Sequence, residues 1–392
     1  MKKIYSLSYF ECKKLFVTKS IIVIISLFYV LNIFNIFKNN FSNNNSLIEI
    51  GRYELYTVYK GELGNEKLEE MKLFSDYAEQ LSASGNYSTE YCPEKYYSGY
   101  AYGEAMLRID LYREAIRIKE YERYSQNISE NATELLKNSE ISSYYRNINV
   151  NLAEIYGNRN LSRLTNNSGI TNFLSYRLSD LLCVVLVVIS AVTIFTSDEE
   201  NKTLLFVKSS TNGGRITTVA KFISSAFFTL IICTVFFATD FITFSAIFRI
   251  DGLTEPLYSL KEFADSPLNI SIWQYVLIYF LSKLTGFSCI AFLTALLSLL
   301  LQKALPSTLC SMTLVAAFMY LKAFITVSPF EKVNLLNPLS LILLPEMSVK
   351  YDVILFGDKP IFTLFVSFAV IITVMLIVFV IAIIKGGRNV KV

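Results

Sequence analysis

The chain has 392 residues, 53% of them apolar, with a mean hydropathy of +0.42 and a formal net charge of +3. Histidine is absent, which removes the commonest general base and the commonest metal ligand. The positive residues are dispersed along the chain, so the composition gives no basis for a nucleic-acid groove, and we expect no nucleic-acid partner.

The first apolar stretch, residues 20–37, follows a basic leader over residues 1–19. A membrane span needs roughly 20 apolar residues, so this stretch is long enough to be one. A secretory signal is the competing interpretation. The stretch ends at Phe37 without a small-residue cleavage site, so we predict an uncleaved anchor after a cytoplasmic amphipathic leader.

Residues 38–177 form a long polar segment with two helix-compatible runs, at 47–83 and 103–138. Four apolar residues recur at helical spacing in the second run: Leu107, Leu111, Ala115 and Ile118. Tyrosine is frequent throughout the segment. This composition indicates either a helical cap with tyrosines in a small core, or a surface that contacts a peptide or a sugar.

Five more apolar stretches follow, at residues 178–197, 222–248, 273–301, 304–327 and 361–384. We therefore predict an all-α integral membrane protein with six transmembrane helices and a mostly helical extracellular domain over residues 38–177. With six spans, the two termini and the short loops 198–221 and 302–303 lie on the same side of the membrane. Lysine and arginine concentrate in these segments. We expect a multi-pass plasma-membrane protein, bacterial in origin, with both termini, including the tail 385–392, in the cytoplasm.

The segment 328–360 contains an apolar run that is too short to span a membrane. Val333–Leu344 is about a dozen residues long, with Pro338 inside it and Pro345 after it. Irregular backbone exposed to lipid is not tolerated at depth, so we predict a re-entrant or interfacial helical hairpin on the extracellular side.

No catalytic or metal-binding pattern is visible in the sequence. No glycine is followed by lysine, so the phosphate-binding loop G-x-x-x-x-G-K-[ST] is absent, and we expect neither an enzyme nor a cofactor bound by this chain. The six cysteines form no C-x-x-C pair, and only Cys92 lies in the 38–177 segment, so neither a disulfide framework nor a zinc site is predicted.

Two charged residues lie well inside predicted spans, Asp240 in the third and Lys283 in the fourth. Counted from the outer ends of their spans, they lie about 12 Å and about 15 Å deep at 1.5 Å per residue. Unpaired charges at such depths are costly, so we predict an intramembrane pair of Asp240 with Lys283. The alternative is that the two line a wet vestibule separately.

The segment 198–221, between the second and third spans, carries charges at both ends and a Gly-Gly break. It begins with an acidic run, Asp198-Glu199-Glu200, and ends with Arg215 and Lys221. We predict a short cytoplasmic helix with the acids at its N-terminal end, where they complement the helix dipole. The alternative is an ordinary charged loop that follows the positive-inside rule.

This segment resembles that of the permease subunits of type-2 ATP-binding-cassette (ABC) transporters, in the branch with a large extracellular domain between spans one and two. In that family an acid after span two precedes a Thr-Leu pair, then Gly-Arg or Ser-Arg, then a lysine entering span three. The matching positions are Glu200, Thr203-Leu204, Gly214-Arg215 and Lys221. The glycine that usually precedes the threonine is Lys202 here. The order of spans, the basic leader and the helix-breaking Asn337-Pro338-Leu339-Ser340 also resemble the family.

The resemblance implies a six-span exporter permease that acts as a homodimer or heterodimer of permease chains with two separate cytoplasmic ATPase subunits. Membrane lipid surrounds it, and the ATPase subunits bind the ATP. The loop 198–221 then couples ATP hydrolysis to the spans through Asp198, Glu199, Glu200, Thr203, Gly214, Arg215 and Lys221. Because few charges lie in the spans, we expect an amphipathic or apolar substrate, such as an antimicrobial peptide, a toxin or a lipid.

Two other classes of function compete with this interpretation. One is a membrane-anchored sensor or immunity protein whose 38–177 domain binds a ligand. The other is an ion-coupled carrier, which is disfavoured because the spans contain a single glycine, Gly286, and only one acid well inside them, Asp240.

Overall fold

The computed structural model describes residues 2–41, 45–84, 101–138, 141–203, 214–324, 330–357 and 359–386. The helices, in chain order, are α1 (Lys2–Val17), α2 (Lys19–Phe41), α3 (Asn45–Tyr59), α4 (Asn65–Ser84), α5 (Ala101–Leu136), α6 (Ser143–Tyr156), α7 (Ser168–Ser175), α8 (Leu178–Glu200), α9 (Arg215–Phe248), α10 (Ile272–Leu301), α11 (Ala304–Phe324), α12 (Pro338–Ile342), α13 (Leu344–Ser348) and α14 (Thr363–Gly386). Two short antiparallel pairs complete the described part: β1 (Gly61–Glu62) with β2 (Arg163–Leu164), and β3 (Val353–Phe356) with β4 (Lys359–Phe362).

Within the described residues, six helical segments are long and apolar enough to cross a membrane: α2, α7 with α8, α9, α10, α11 and α14. This confirms the prediction of an all-α, multi-pass membrane protein with six candidate spans. The helix α8 runs three residues beyond the predicted span, to Glu200, and α9 begins at Arg215. Both ends of the predicted 198–221 loop are therefore helical, because α8 continues through its acidic end until the left-handed Lys202 caps it, and α9 begins directly after Gly214.

The helix α10 lies at the centre of the membrane part and packs against α8, α9, α11 and α14. Its buried faces carry small residues, among them Ala291, Ala295 and Ser298, which let neighbouring backbones approach closely. Large side chains from α9, such as Phe228 and Phe236, fill the remaining space.

The two faces of the membrane part are built differently. We call the face that carries α3–α6 the domain face. The opposite face, which we call the N-terminal face, carries α1, the end of α8, the start of α9 and the end of α14. The described ends of the chain thus lie on one face, as an even number of spans requires.

The leader forms the helix α1, which packs on α9. Ser224 Oγ donates to the Ser8 carbonyl over 2.9 Å, and Ser8 Oγ donates to the Ala220 carbonyl over 3.3 Å. Leu15 is buried among the spans, whereas Tyr5 and Tyr9 are exposed. The leader is therefore fixed to the third span rather than extending away from the membrane part.

In its described residues, the polar segment forms α3–α6 of the domain and α7, which leads into α8. The 103–138 run is one helix, α5, and its predicted apolar face is buried at Leu107, Leu111, Ala115 and Ile118. The helix-compatible run 47–83 forms two helices, α3 and α4. It breaks at Gly61, whose φ of +95° is a backbone conformation that glycine adopts readily, and β1 pairs with β2 there.

The 328–360 segment forms a 3₁₀ helix (Phe330–Leu336), the short helices α12 and α13, and the β3–β4 hairpin. Asn337 caps α12 by accepting from the Leu339 amide over 3.0 Å. The α12 helix packs against Gly286 of α10, where a Cβ would lie 2.7 Å from both the Pro338 carbonyl oxygen and Ile342 Cγ1. Gly286 is therefore a close-packing position inside an unbroken helix.

Candidate functional site

A group of buried charges lies between the spans, near the domain face. Lys283 of α10 pairs with Asp180 of α8, with 2.5 Å between Nζ and Oδ1. Their side chains are only 6% and 8% exposed. The prediction of an Asp240–Lys283 pair was therefore wrong, because Lys283 forms its ion pair with Asp180 of the second span instead.

The depth estimate missed Asp180 as the partner because α10 begins outside the level of α8. Lys283 lies about 16 Å along α10 from Ile272 at 1.5 Å per residue, whereas Asp180 lies in the first turn of α8. Their contact puts both residues at one level. Asp180 could have been found from the sequence as an acid directly before an apolar run, but its position at the edge of that run suggested a flanking charge.

Asp240 of α9 is held by neutral donors. Asn32 of α2 donates from Nδ2 to Asp240 Oδ1 over 2.6 Å, and the Ser179 side chain also bonds to this carboxyl group. The Tyr176 hydroxyl donates to Asn32 Oδ1 over 2.9 Å, which fixes the orientation of the amide. We call Asp180, Asp240 and Lys283 the buried charge cluster.

Aromatic and charged side chains surround the cluster. Lys283 Nζ lies 4.4 Å from the centroid of the Tyr279 ring, within the range of a cation–π contact. Towards the domain face, Arg177 and Lys322 both pair with Glu346, at 3.6 Å and 2.8 Å. Because Glu346 is 49% exposed, these three charges form a solvated rim rather than part of the buried cluster.

A second group of charges lies on the N-terminal face and includes several of the predicted coupling residues. Asp198 pairs with Lys221 at 2.6 Å and with Lys14 of α1 at 3.4 Å. Glu11 pairs with Lys14 at 3.1 Å. Although burial opposes the charged form, Glu11 and Asp198 raise the pKa of Lys14 above its ordinary value. These contacts join α1, α8 and α9.

The end of α8 explains the acid–Thr pattern in physical terms. The Lys202 amide donates to the Glu199 carbonyl (2.9 Å) and the Thr203 amide to the Asp198 carbonyl (2.8 Å), which is the hydrogen-bond pattern of a Schellman cap. Lys202 has a φ of +57° and occupies the position where glycine is usual. Lys202 is therefore the left-handed residue that ends this helix.

The acids were predicted at the N-terminal end of a helix, but they lie in the last turn of α8. The negative end of the helix dipole opposes them there. Asp198 is compensated by its two lysines, whereas Glu199 and Glu200 are exposed. Residues 204–213, including Leu204 and Gly213, lie outside the described residues.

A cavity of about 220 Å³ opens beside these residues on the N-terminal face. Its lining combines the end of α8, the start of α9, the α10–α11 turn and the end of α14: Phe195, Asp198, Glu199, Gly214, Thr217, Thr218, Lys221, Leu299, Leu300, Gln302, Lys385 and Gly386. Gly214 has a φ of +68°, a turn conformation that favours glycine. Arg215 follows it and is exposed. Of the predicted coupling residues, Asp198, Glu199, Gly214 and Lys221 thus meet at one cavity, while Glu200, Thr203 and Arg215 flank it.

On the domain face, the domain is fixed to the loop between α9 and α10. Arg159 is buried and donates to Asn269 Oδ1 and to the Ser266 carbonyl, both over 2.7 Å. The Tyr121 ring stacks on Tyr258 with 5.3 Å between centroids. We call these contacts the domain clasp.

Two further tyrosines of the domain bind Asp265 in the same loop. The Tyr156 hydroxyl donates to the Asp265 carbonyl over 2.6 Å, and the Tyr124 hydroxyl donates to its carboxylate over 2.5 Å. The bond to Asp265 raises the pKa of Tyr124 to about 12. These tyrosines therefore bind a loop of their own chain, a use that neither sequence interpretation included.

Comparison with protein-family models, with curated proteins and with solved structures finds no match to this chain. The fold, the buried charge cluster and the group of charges on the N-terminal face are therefore the features that bear on its function.

Proposed function

We propose that this chain is the permease subunit of a type-2 ABC exporter, driven by separate ATPase subunits that bind at its N-terminal face. The observation that carries the proposal is the cavity beside Asp198 and Lys221. It gathers four helix ends around an open space, flanked by the exposed charges of Glu199, Glu200 and Arg215. Such a surface suits a partner that must move several spans together.

The helix α8 provides a route from this face to the opposite one. It spans about 33 Å for its 23 residues at 1.5 Å per residue. At one end Asp198 holds α1 and α9, and at the other end Asp180 holds α10. In this proposal, movement of the ATPase partner at residues 201–214 displaces α8, which moves as a rigid rod. This movement changes the packing of α10 near the domain face.

The orientation, the oligomer and the cargo belong to the same proposal. The N-terminal face carries the positively charged leader and faces the cytoplasm by the positive-inside rule. A second permease chain completes the pathway. The outward surfaces of the spans are apolar and face lipid, and the cargo is an amphipathic or apolar compound, such as a peptide, a toxin or a lipid.

The test uses the two exposed acids at the end of α8. We predict that Glu199→Ala with Glu200→Ala leaves the amount of chain in the membrane unchanged but lowers cargo export relative to ATP hydrolysis, because both side chains face the partner and neither supports the fold. Export and ATPase rate are measured in the same vesicles.

The matched control is Glu66→Ala with Glu69→Ala, two exposed acids on α4 of the domain. It should export at the parental rate. If the Glu199/Glu200 variant also exports at the parental rate with normal ATPase activity, these acids do not couple the two processes. A chain that works as a sensor or immunity protein would show no ATP-dependent export in any of these vesicles.

A further inference from the structure

The buried charge cluster contains more acids than bases. Asp180, Asp240 and Lys283 are all buried, so two carboxyl groups share a single ammonium group. Lys283 contacts Asp180, and within the described residues no basic side chain forms an ion pair with Asp240. An ionised carboxylate between spans is strongly disfavoured unless a positive charge balances it.

The hydrogen bonds of the cluster also lack one donor. Asp240 accepts from Asn32 at Oδ1, and Asp180 accepts from Lys283 at Oδ1. The second oxygen of Asp180, Oδ2, is buried and accepts no hydrogen bond within the described part of the chain. A buried acceptor without a donor is costly, and the cluster therefore lacks both one positive charge and one hydrogen-bond donor.

We propose that the buried charge cluster binds one exchangeable proton, held on Asp240. The proton neutralises the second carboxyl group, and the Asp180–Lys283 pair stays charged and balanced. This inference does not depend on the transport function proposed above, because it concerns the isolated chain.

The surroundings favour a proton over a metal cation. One oxygen of Asp240 already faces the amide hydrogens of Asn32, which would repel a cation at that position. Within the described residues there is no group of three or more Cys, Asp or Glu side chains that could hold a metal ion. A single proton needs only one carboxyl oxygen.

The neighbouring titratable groups come from α8, α9, α10 and the segments beside them, and α2 contributes the neutral Asn32. They are Tyr176 before α8, Cys183 on α8, Cys233 on α9 and Tyr279 on α10, with the rim charges Arg177, Lys322 and Glu346. The two bases of the rim both contact Glu346, and neither forms an ion pair with Asp240 within the described residues. The rim therefore leaves Asp240 as the carboxyl group without a balancing charge.

Infrared difference spectroscopy of the full-length chain in lipid nanodiscs tests the proposal. We expect the C=O band of a protonated carboxylic acid at neutral pH, and we expect it to disappear when the sample is made alkaline. The band should be missing in Asp240→Asn and retained in Asp76→Asn, a change at an exposed acid of α4. Sodium added at constant pH should leave it unchanged.

A thermal stability measurement gives an independent readout. Asparagine resembles a neutral aspartic acid, so Asp240→Asn should melt at the parental temperature, whereas Asp180→Asn should lose folded protein because it removes the carboxylate that Lys283 contacts. A wild-type spectrum without the acid band, or a band retained in Asp240→Asn, overturns the proposal. So does loss of the band on adding sodium, or a loss of folded Asp240→Asn protein as large as that of Asp180→Asn.

Discussion

The helix α8 carries a buried aspartate at each end, and the two are held in different ways. Asp180 lies in the first turn, where the positive end of the helix dipole favours a carboxylate, and it pairs with one lysine, Lys283. Asp198 lies in the last turn, where the dipole is unfavourable, and it pairs with two lysines, Lys221 and Lys14. The first pair is enclosed by spans, and the second borders an open cavity.

The Asp180–Lys283 pair is therefore structural, whereas the contacts of Asp198 can change partners. At the domain end, loss of either Asp180 or Lys283 leaves the other as a buried charge without its contacting partner. The pair therefore fixes α8 against α10. At the N-terminal end, Asp198 keeps a second lysine that is 37% exposed, so its contacts can rearrange without a bare charge inside the membrane. A helix that is firmly held at one end and adaptable at the other suits transmission of a displacement from the adaptable end.

The largest expected effect comes from removing the enclosed lysine. Lys283→Met should lower the free energy of unfolding by about 3–5 kcal/mol, the usual cost of breaking a buried pair. Lys221→Met should cost only about 1–2 kcal/mol, because Lys14 still balances Asp198. The measurement is the fraction of folded protein in mild detergent as temperature rises, compared between the two variants.

The control for this comparison is the double variant Asp180→Leu with Lys283→Met, which replaces both charges by apolar groups of similar size. It should recover most of the stability that Lys283→Met loses. Equal losses for Lys283→Met and Lys221→Met would show that the two ends of α8 are held alike.

The smallest effect concerns the residue that ends α8. Lys202→Gly should raise the free energy of unfolding by about 1 kcal/mol, because glycine adopts the positive φ of this position without a Cβ clash. Lys202→Ala is the matched control, since it removes the charge but keeps the Cβ. If both variants are equally stable, the charge of Lys202 decides the effect and the conformation does not.

Sequence reasoning predicted the spans well because a long apolar run has few alternatives to a membrane helix. It also placed Asp198, Glu199, Gly214 and Lys221 in one segment, and these four residues line one cavity. It missed that Asp198 is a buried partner of two lysines, whereas Glu199 and Glu200 are exposed, because three adjacent acids look alike in a sequence.

Counting residues from the outer ends of the spans could not identify the partner of Lys283. That count assumed that the outer ends of the third and fourth spans lie at the same depth. The pair instead joins the second and fourth spans, and it depends on how far α10 extends beyond the start of α8. The domain clasp was missed for a related reason. Tyrosine is frequent in the segment, but only the fold brings Tyr121 and Tyr156 to the α9–α10 loop.

Photo-cross-linking from the N-terminal face in native membranes tests the central claim most directly. A photoreactive residue at Arg215, which is exposed beside the cavity, should cross-link to a subunit that contains a phosphate-binding loop and hydrolyses ATP. The same residue placed at Asp76 on the domain should not. If no ATP-hydrolysing subunit cross-links at Arg215 while the chain is folded and inserted, the account of this protein as an ABC permease is contradicted.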